Sequence, residues 1–220
     1  MTERSYRGLF WALALLGALA DVGTKYAVFA ALQGQANADS HYRGEHTVIP
    51  GAFAIEAHYA RDGDGVRPEV NQGALFGAGR QFEGDSNRFF AVISVLAAGA
   101  IVFWSTRRAT ARDWALSAAL GLILAGTLGN LYDRLVFDGV RDFIHVHYRP
   151  HFDWPVFNLA DCCLVGGAFL LLAQAFWGRS AATEPTPAAA PPAAEPAPSA
   201  GFVHGTPAET AIHEQRPVAG

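Results

Sequence analysis

The chain has 220 residues, 51% of them hydrophobic and only 16% charged, with a formal net charge of −4 and a mean hydropathy of +0.15. There is no basic patch of the kind that binds nucleic acid, and the only two cysteines, Cys162 and Cys163, are adjacent within an apolar run. That excludes a disulfide framework and a thiol oxidase built on separated cysteine pairs. All eight histidines lie outside the apolar runs, which argues against haem ligated inside a bundle. Apolar stretches of about 20 residues, separated by charged segments, indicate a polytopic helical membrane protein.

Four spans are expected, over residues 8–32, 89–104, 114–132 and 155–177. The first follows Arg4 and Arg7 and carries Asp21 and Lys25, an i, i+4 pair on one helical face. Its start also has the look of a secretory signal, with Ala18-Leu19-Ala20 as an A-x-A cleavage site. Apolar character resumes after Lys25 through residues 26–32, so the segment is read as a retained span. Residues 33–88 then mix Gly and Pro with stretches such as Thr47-Val48-Ile49 and Ala52-Phe53-Ala54-Ile55, and are expected to form a small, partly β surface domain on the membrane. Arg107, Arg108 and Arg112 separate the second and third spans, and the third bears Asn130, one turn before Arg134.

The segment 133–154 follows, with Asp133, Asp138, Asp142 and Asp153. His145, His147 and His151 have a cluster-like spacing there but lack a clear fourth zinc ligand, so an interfacial strand or helix is the expected setting and no metal or other cofactor is required. The fourth span opens with Asn158 and Asp161, an i, i+3 pair. From Ala181 the chain is Pro/Ala-rich and is expected to be a disordered cytoplasmic tail, so residues 1–180 make the membrane domain and 181–220 the tail. Each span is about 16–25 residues, roughly 24–37 Å of helix. Trp104, Trp114, Tyr132, Trp154 and Trp177 stand at span ends, where aromatic belts belong. Arg4, Arg7, the arginines at 107, 108 and 112, and Arg179 put both termini in the cytoplasm, although Arg134, Arg141 and Arg149 dilute the bias.

Depth arithmetic brings the polar groups together. Asp21 and Lys25 lie about 20 and 26 Å from the cytoplasmic end of the first span, and Asn130 about 24 Å along the third. Asn158 and Asp161 lie about 5–9 Å from the outer end of the fourth. Three spans thus carry polar groups in the outer third of the membrane. A carboxylate at the depth of Asp161 costs about 2.5–3.5 kcal/mol on insertion, so it reads as functional, whereas Asp21 and Lys25 as an ion pair also suit a role in gluing helices. A second carboxylate meeting Asp161 would allow a shared proton and activation of water. Asp142 leads Asp133, Asp138 and Asp153 only because Phe143-Ile144 can return the chain to the membrane surface, while Asp138-Gly139 reads as a turn and Asp153 flanks Trp154.

Five stretches, in order, resemble the lipoprotein signal peptidases (signal peptidase II): Asp21-Val22-Gly23-Thr24-Lys25, Asn71-Gln72-Gly73-Ala74, Gly129-Asn130-Leu131-Tyr132-Asp133-Arg134, Val140-Arg141-Asp142-Phe143 and Phe157-Asn158-Leu159-Ala160-Asp161. The resemblance covers about residues 8–178. It implies a monomeric aspartic endopeptidase of the bacterial inner membrane, facing outward, that cuts signal peptides from diacylglyceryl-modified prolipoproteins just before the lipid-bearing cysteine. It implies that Asp142 and Asp161 are the catalytic pair. Asn130, Arg134 and Asn158 would orient them, Asn71 and Gly73 would cradle substrate, and Asp21 and Lys25 would support the site. Inhibition by globomycin-type cyclic peptides is implied as well. The segment 36–69 is longer than the compact family pattern, and the tail has no counterpart in it. Two other readings compete: a small proton-coupled transporter using Asp21, Lys25 and Asp161 as a relay, and a helix-bundle scaffold whose polar groups only hold spans together. A relay favours groups staggered across the membrane, and these cluster at one depth.

Overall fold

The apolar runs fold as four helices long and apolar enough to cross a membrane: α1 (Arg7–Ala38), α2 (Ser86–Ser105), α4 (Trp114–Phe137) and α5 (Leu159–Ser180), with a short α3 (Arg108–Arg112) between α2 and α4. The computed structural model describes residues 4–39, 41–63, 65–73, 86–148 and 151–180, the side chains of 177–180 excepted. The expected tail, 181–220, lies outside the described residues.

Helix α4 is the central post. In its most apolar 18-residue window 61% is buried, against 6% for α2, which packs on it from one side only. Small residues make this possible. Ala118, Ala119, Gly121, Ala125, Gly126 and Gly129 let neighbouring backbones approach closely, and a side chain at Gly126 would collide with the Ala160 carbonyl of α5. At one end, Asp113 caps α4 by accepting from Ala115 N (2.9 Å) and Leu116 N (3.0 Å), and Gln174 of α5 donates to its other oxygen. Tyr6 N donates to Ala111 O (2.7 Å) and Arg7 to Thr106 O (3.0 Å), so the start of α1 and the α2–α4 connection share that end.

The other end carries a five-stranded antiparallel sheet: β1 (Arg43–Ile49), β2 (Phe53–Asp62), β3 (Gly65–Pro68), β4 (Ile144–Tyr148) and β5 (Phe152–Asp153). The order is β1-β2-β4-β5, with β3 paired to β2. The surface domain is therefore partly β as expected, but it draws two of its strands from the segment between α4 and α5. Its apolar side packs on the end of α1, where Phe29, Leu32 and Ala36 meet Ala57, Tyr59 and Phe143. This packing extends α1 to Ala38, past the expected end at Leu32, and α4 likewise runs to Phe137 rather than Tyr132. Helix α2 starts at Ser86, ahead of Phe89.

The fourth span needs the largest correction. It begins as a helix at Leu159, not at Pro155, because Phe157 is taken up in a β-bridge: its N–H donates to Ile144 O (3.0 Å) and its carbonyl accepts from Ile144 N (2.8 Å). Asp161 consequently lies in the first helical turn, closer to the helix start than the roughly 9 Å expected from a span opening at Pro155.

Candidate active site

The site starts from a charged cluster where α1 meets α4. Lys25, with no exposed surface, donates to Asp21 Oδ2 (2.7 Å) and Asn130 Oδ1 (3.0 Å) and stands 3.5 Å from Asp133 Oδ2. Gly129 is what lets Asp21 lie flat on α4, since any side chain there would strike its carboxylate. Asp21 Oδ1 also accepts from Ala160 N (2.8 Å), so this one residue ties α1, α4 and the start of α5 together. Asp133 accepts from three donors of Arg141: the backbone N (2.9 Å), Nε (3.2 Å) and Nη2 (2.8 Å). All four charged groups are 1% exposed or less.

From this base the polar chain runs outward through three asparagines. Asn130, held at Oδ1 by Lys25, donates through Nδ2 to Asp161 Oδ1 (3.0 Å). Asn158 and Asp161 form a capping box at the head of α5: Asn158 Oδ1 accepts from Asp161 N (3.0 Å), and Asp161 Oδ2 accepts from Asn158 N (3.2 Å). A carboxylate is well placed there, at the positive end of a helix dipole, which lowers the cost of its depth. Asn158 Nδ2 donates to Asn130 Oδ1 (3.2 Å) and to Asp142 Oδ1 (2.7 Å). Asn71 Nδ2 donates to Asp142 Oδ2 (3.3 Å), and Asn71 Oδ1 accepts from Gly73 N (3.0 Å). A single asparagine therefore links the two aspartates.

Asp142 reaches this position because its chain neighbours are clamped. Val140 makes a reciprocal backbone bridge with Asn71 (2.8 and 2.9 Å), and Phe143 N donates to Phe157 O (3.0 Å). Phe143 is buried against α1, as its place beside Asp142 in the sequence suggested. The carboxyl of Asp142 is pushed up to about 6, by burial first and by the neighbouring Asp161 charge second, against hydrogen bonds from Asn158 and Asn71.

Asp142 and Asp161 share the wall of a cavity of about 300 Å³ bounded by α2, α4 and α5, with Asn71, Gly73 and Arg134 also lining it. Its deeper part is apolar, with Ile93 and Ala97 of α2 facing Leu164 of α5. Arg134 donates from Nη1 to Asn130 O (3.3 Å) and lies 5.5 Å over the Phe90 ring, while its Nε is buried with no hydrogen-bond partner among the described residues. A buried guanidinium N–H without a partner, at a cavity wall, is available to a ligand carbonyl.

The structure thus places all nine residues singled out in the sequence in one connected array. Of the other candidate acids, Asp138 and Asp153 separate from it, while Asp133 belongs to its buried base. Asp138 is the left-handed C-cap of α4 (φ 59°) and accepts from Asn87 (2.7 Å), Asp153 meets His145 on the sheet (2.6 Å), and Asp133 is paired with Arg141. His145 and His147 are on β4, with His145 between Glu56 (3.2 Å) and Asp153. Two members of the network were missed, Asp133 and Arg141. Both stand inside the quoted motifs, and the signal available was their i, i+8 spacing across a Gly-containing turn, which lets the connection after α4 fold its arginine back on that helix.

A family model described as signal peptidase (SPase) II matches residues 13–177. A lipoprotein signal peptidase of Rhodopirellula baltica is 35% identical over 215 residues, covering 84% of this chain and 86% of that protein. The one of Pseudoalteromonas translucida is 44% identical over 111 residues, half of this chain and 65% of that protein. A solved bacterial membrane enzyme structure is similar with a TM-score of 0.65 at 25% identity, covering 84% of this chain and 98% of that one.

Proposed function

Since the chain belongs to the signal peptidase II family, a family of membrane peptidases, we propose that Asp142 and Asp161 are its aspartic dyad and that it removes signal peptides from diacylglyceryl-modified prolipoproteins by cutting before the lipid-bearing cysteine. The observation that carries this reading is the shared Asn158, which holds both carboxylates at the wall of one cavity. The apolar depth of that cavity, open between helices, suits the hydrophobic segment of a signal peptide.

In this mechanism one ionised carboxylate takes a proton from water, which attacks the scissile carbonyl. The other, protonated, donates to the carbonyl oxygen and stabilises the developing oxyanion. The proton then passes to the leaving amine, and the dyad returns to its singly protonated state. The charge of Asp161 adds to burial in raising Asp142. The raised value of Asp142 keeps a proton within the pair at mildly acidic pH. Asn130 and Asn158 fix the orientation of Asp161. The spare Nε of Arg134 and the Asn71–Gly73 turn receive the backbone of the peptide near the cleaved bond.

The protein is a multi-pass protein of the inner membrane. With Arg107, Arg108 and Arg112 at the end opposite the sheet, both termini lie in the cytoplasm and the dyad faces outward. It acts as a monomer on lipid-embedded substrate, and globomycin-type cyclic peptides occupy the same cavity.

The test is a gel-shift assay with purified protein and a synthetic lipid-modified prolipoprotein. Asp142→Asn and Asp161→Asn each reduce cleavage to background while still accumulating in membranes. Asp138→Asn, which keeps a residue tolerant of the left-handed C-cap, stays active. Normal cleavage by either dyad variant removes the proposal.

A further inference from the structure

Backbone bonds at Val140 and Phe143 bracket Asp142, but a residue in an irregular connection needs a side-chain anchor as well to be held steadily. Its neighbour Arg141 provides the means. Arg141 is 1% exposed and is fixed at both backbone and side chain to a single acceptor, Asp133, through three hydrogen bonds of 2.8–3.2 Å. Its guanidinium is further enclosed by aromatic rings, with its centre 3.9 Å from the Phe137 centroid, 4.4 Å from Tyr26 and 5.8 Å from Phe29. Arg141 is thereby locked into the α1–α4 interface, while the next side chain, Asp142, lies on the cavity wall. A buried ion pair of this kind adds little net stability but imposes one geometry.

We infer that Arg141 is a positioning residue for the reaction: its three-point attachment to Asp133 on α4 fixes the backbone from which Asp142 meets Asn71, Asn158 and Asp161. Two features separate this from a general role in folding. The attachment is immediately adjacent to Asp142, with no intervening residue to absorb a shift. And Asp133, the acceptor, also stands 3.5 Å from Lys25, which holds Asn130 and through it Asp161. One carboxylate thus references both arms of the dyad to the same helix.

The inference rests on the dyad reading above, and its test keeps the two apart. Arg141→Lys retains the charge, the backbone N–H bond to Asp133 and one ammonium contact, but cannot make the forked side-chain attachment. Asp142 then loosens from its two amide donors, Asn71 and Asn158, which favour its ionised form, so the alkaline limb of activity moves to higher pH. The charged groups facing Asp142 from the packed elements are Asp161 on α5, Arg134 on α4 and Lys25 on α1, and none of these is altered by the substitution. Full-length protein in detergent, assayed on the synthetic lipidated prolipoprotein across pH, is expected to lose about tenfold or more in kcat. KM is expected to stay within about twofold. The alkaline limb is expected to rise by about half a pH unit or more. Loss of folded protein alone lowers activity equally at every pH and leaves the limb in place.

Should Arg141→Lys fail to accumulate, the double variant Arg141→Gln with Asp133→Asn, which leaves no unpaired buried charge, is measured in the same way. A wild-type kcat or an unmoved alkaline limb in the folded variant overturns the inference, as does failure of both variants to fold, which would make the pair a folding element. Asp142→Asn runs beside them. If it cleaves, the dyad reading falls and the positioning role with it; if it is inactive while Arg141→Lys shows an unmoved limb, the positioning role falls alone.

Discussion

Two pairs of aspartates share one polar array, and their partners differ in kind. Asp21 and Asp133 accept from the ammonium of Lys25 and the guanidinium of Arg141, and all four groups are sealed from solvent. Asp142 and Asp161 line the cavity instead, and among the described residues every hydrogen bond to them comes from an amide: Asn71, Asn130, or the side chain and backbone of Asn158. A cation in contact adds a charge that favours the carboxylate, whereas an amide fixes its orientation and adds no charge. Partner type therefore divides the buried scaffold carboxylates from the two at the cavity, although in sequence Asp133 and Asp142 are close neighbours. The scaffold pair also shows why a buried charge cluster lies beside the chemistry: its hydrogen bonds end on Asn130 and on the chain leading to Asp142.

The division is easiest to break at Lys25. Lys25→Met leaves Asp21 buried without its cation, which costs about 3–5 kcal/mol. The expected result is loss of the protein from membranes, or a sharply lowered unfolding temperature where it can be purified, read by immunoblot and by thermal unfolding in detergent. A variant that accumulates and unfolds like wild type would show that the cluster is not a scaffold. Asn158 gives a finer cut, because its two halves do different jobs. Asn158→Ser keeps a capping oxygen for α5 but loses both Nδ2 donations. It is expected to fold normally and lose about a hundredfold in kcat. Asn158→Ala loses the cap as well and is expected to be about 1 kcal/mol less stable than the serine variant. Equal activity of Asn158→Ser and wild type would mean that the link between the two carboxylates is not needed.

Much of this was legible in the sequence because membrane helices are marked by composition and length, and polar residues within them are conspicuous against that background. Four spans, their order and the convergence of Asp21, Lys25, Asn130, Asn158 and Asp161 at one depth all follow from counting along helices. The failures occur where an element's end is decided by tertiary contact. Pro155, Val156 and Phe157 are apolar enough to extend the fourth span, yet the bridge to Ile144 claims Phe157, and the helix starts only after the Asn158 cap. Asn158 and Asp161 likewise look like a helix i, i+3 pair from sequence and turn out to be a capping box. Arg141 stayed hidden for a different reason: an arginine in a connecting segment resembles a solvated charge until Tyr26, Phe137 and Asp133 are seen to enclose it.

The dyad's own ionisation sharpens the comparison further. Because burial and the Asp161 charge raise Asp142 to about 6, in the proposed dyad Asp142 keeps its proton below that pH and loses it above. Cleavage rate is therefore expected to decline on the alkaline side of about pH 6, by about tenfold per unit well beyond the midpoint. A rate that is flat from pH 5 to 9, on the order of four units, would mean that no shared proton is required.

The smallest effect belongs to the sheet, where carboxylate and cation are paired near solvent. Burial pushes Glu56 up, but the hydrogen bond from His58 and the nearby His145 and Arg43 outweigh it and hold it below its ordinary 4.5. His58, 3.3 Å from the same oxygen, is raised above its ordinary 6.5 by that hydrogen bond and by the Glu56 and Glu69 charges, against burial and Arg43. A carboxyl lowered on folding contributes stability above its unfolded value, lost as pH falls through the folded one. A histidine raised on folding contributes below its unfolded value and loses that contribution as pH rises through the folded one. The two windows overlap between 4.5 and 6.5. Since the His58 side chain is 45% exposed, solvent screens the pair and the whole effect is at most about 1 kcal/mol. Hydrogen-exchange protection factors of the paired β1–β2 amides should peak within that window and fall on either side, with Glu56→Gln flattening the profile. Protection that does not vary with pH in the wild-type protein would place Glu56 and His58 outside the energetics of the sheet, leaving the buried Phe29–Tyr59–Phe143 contact as what holds it on α1.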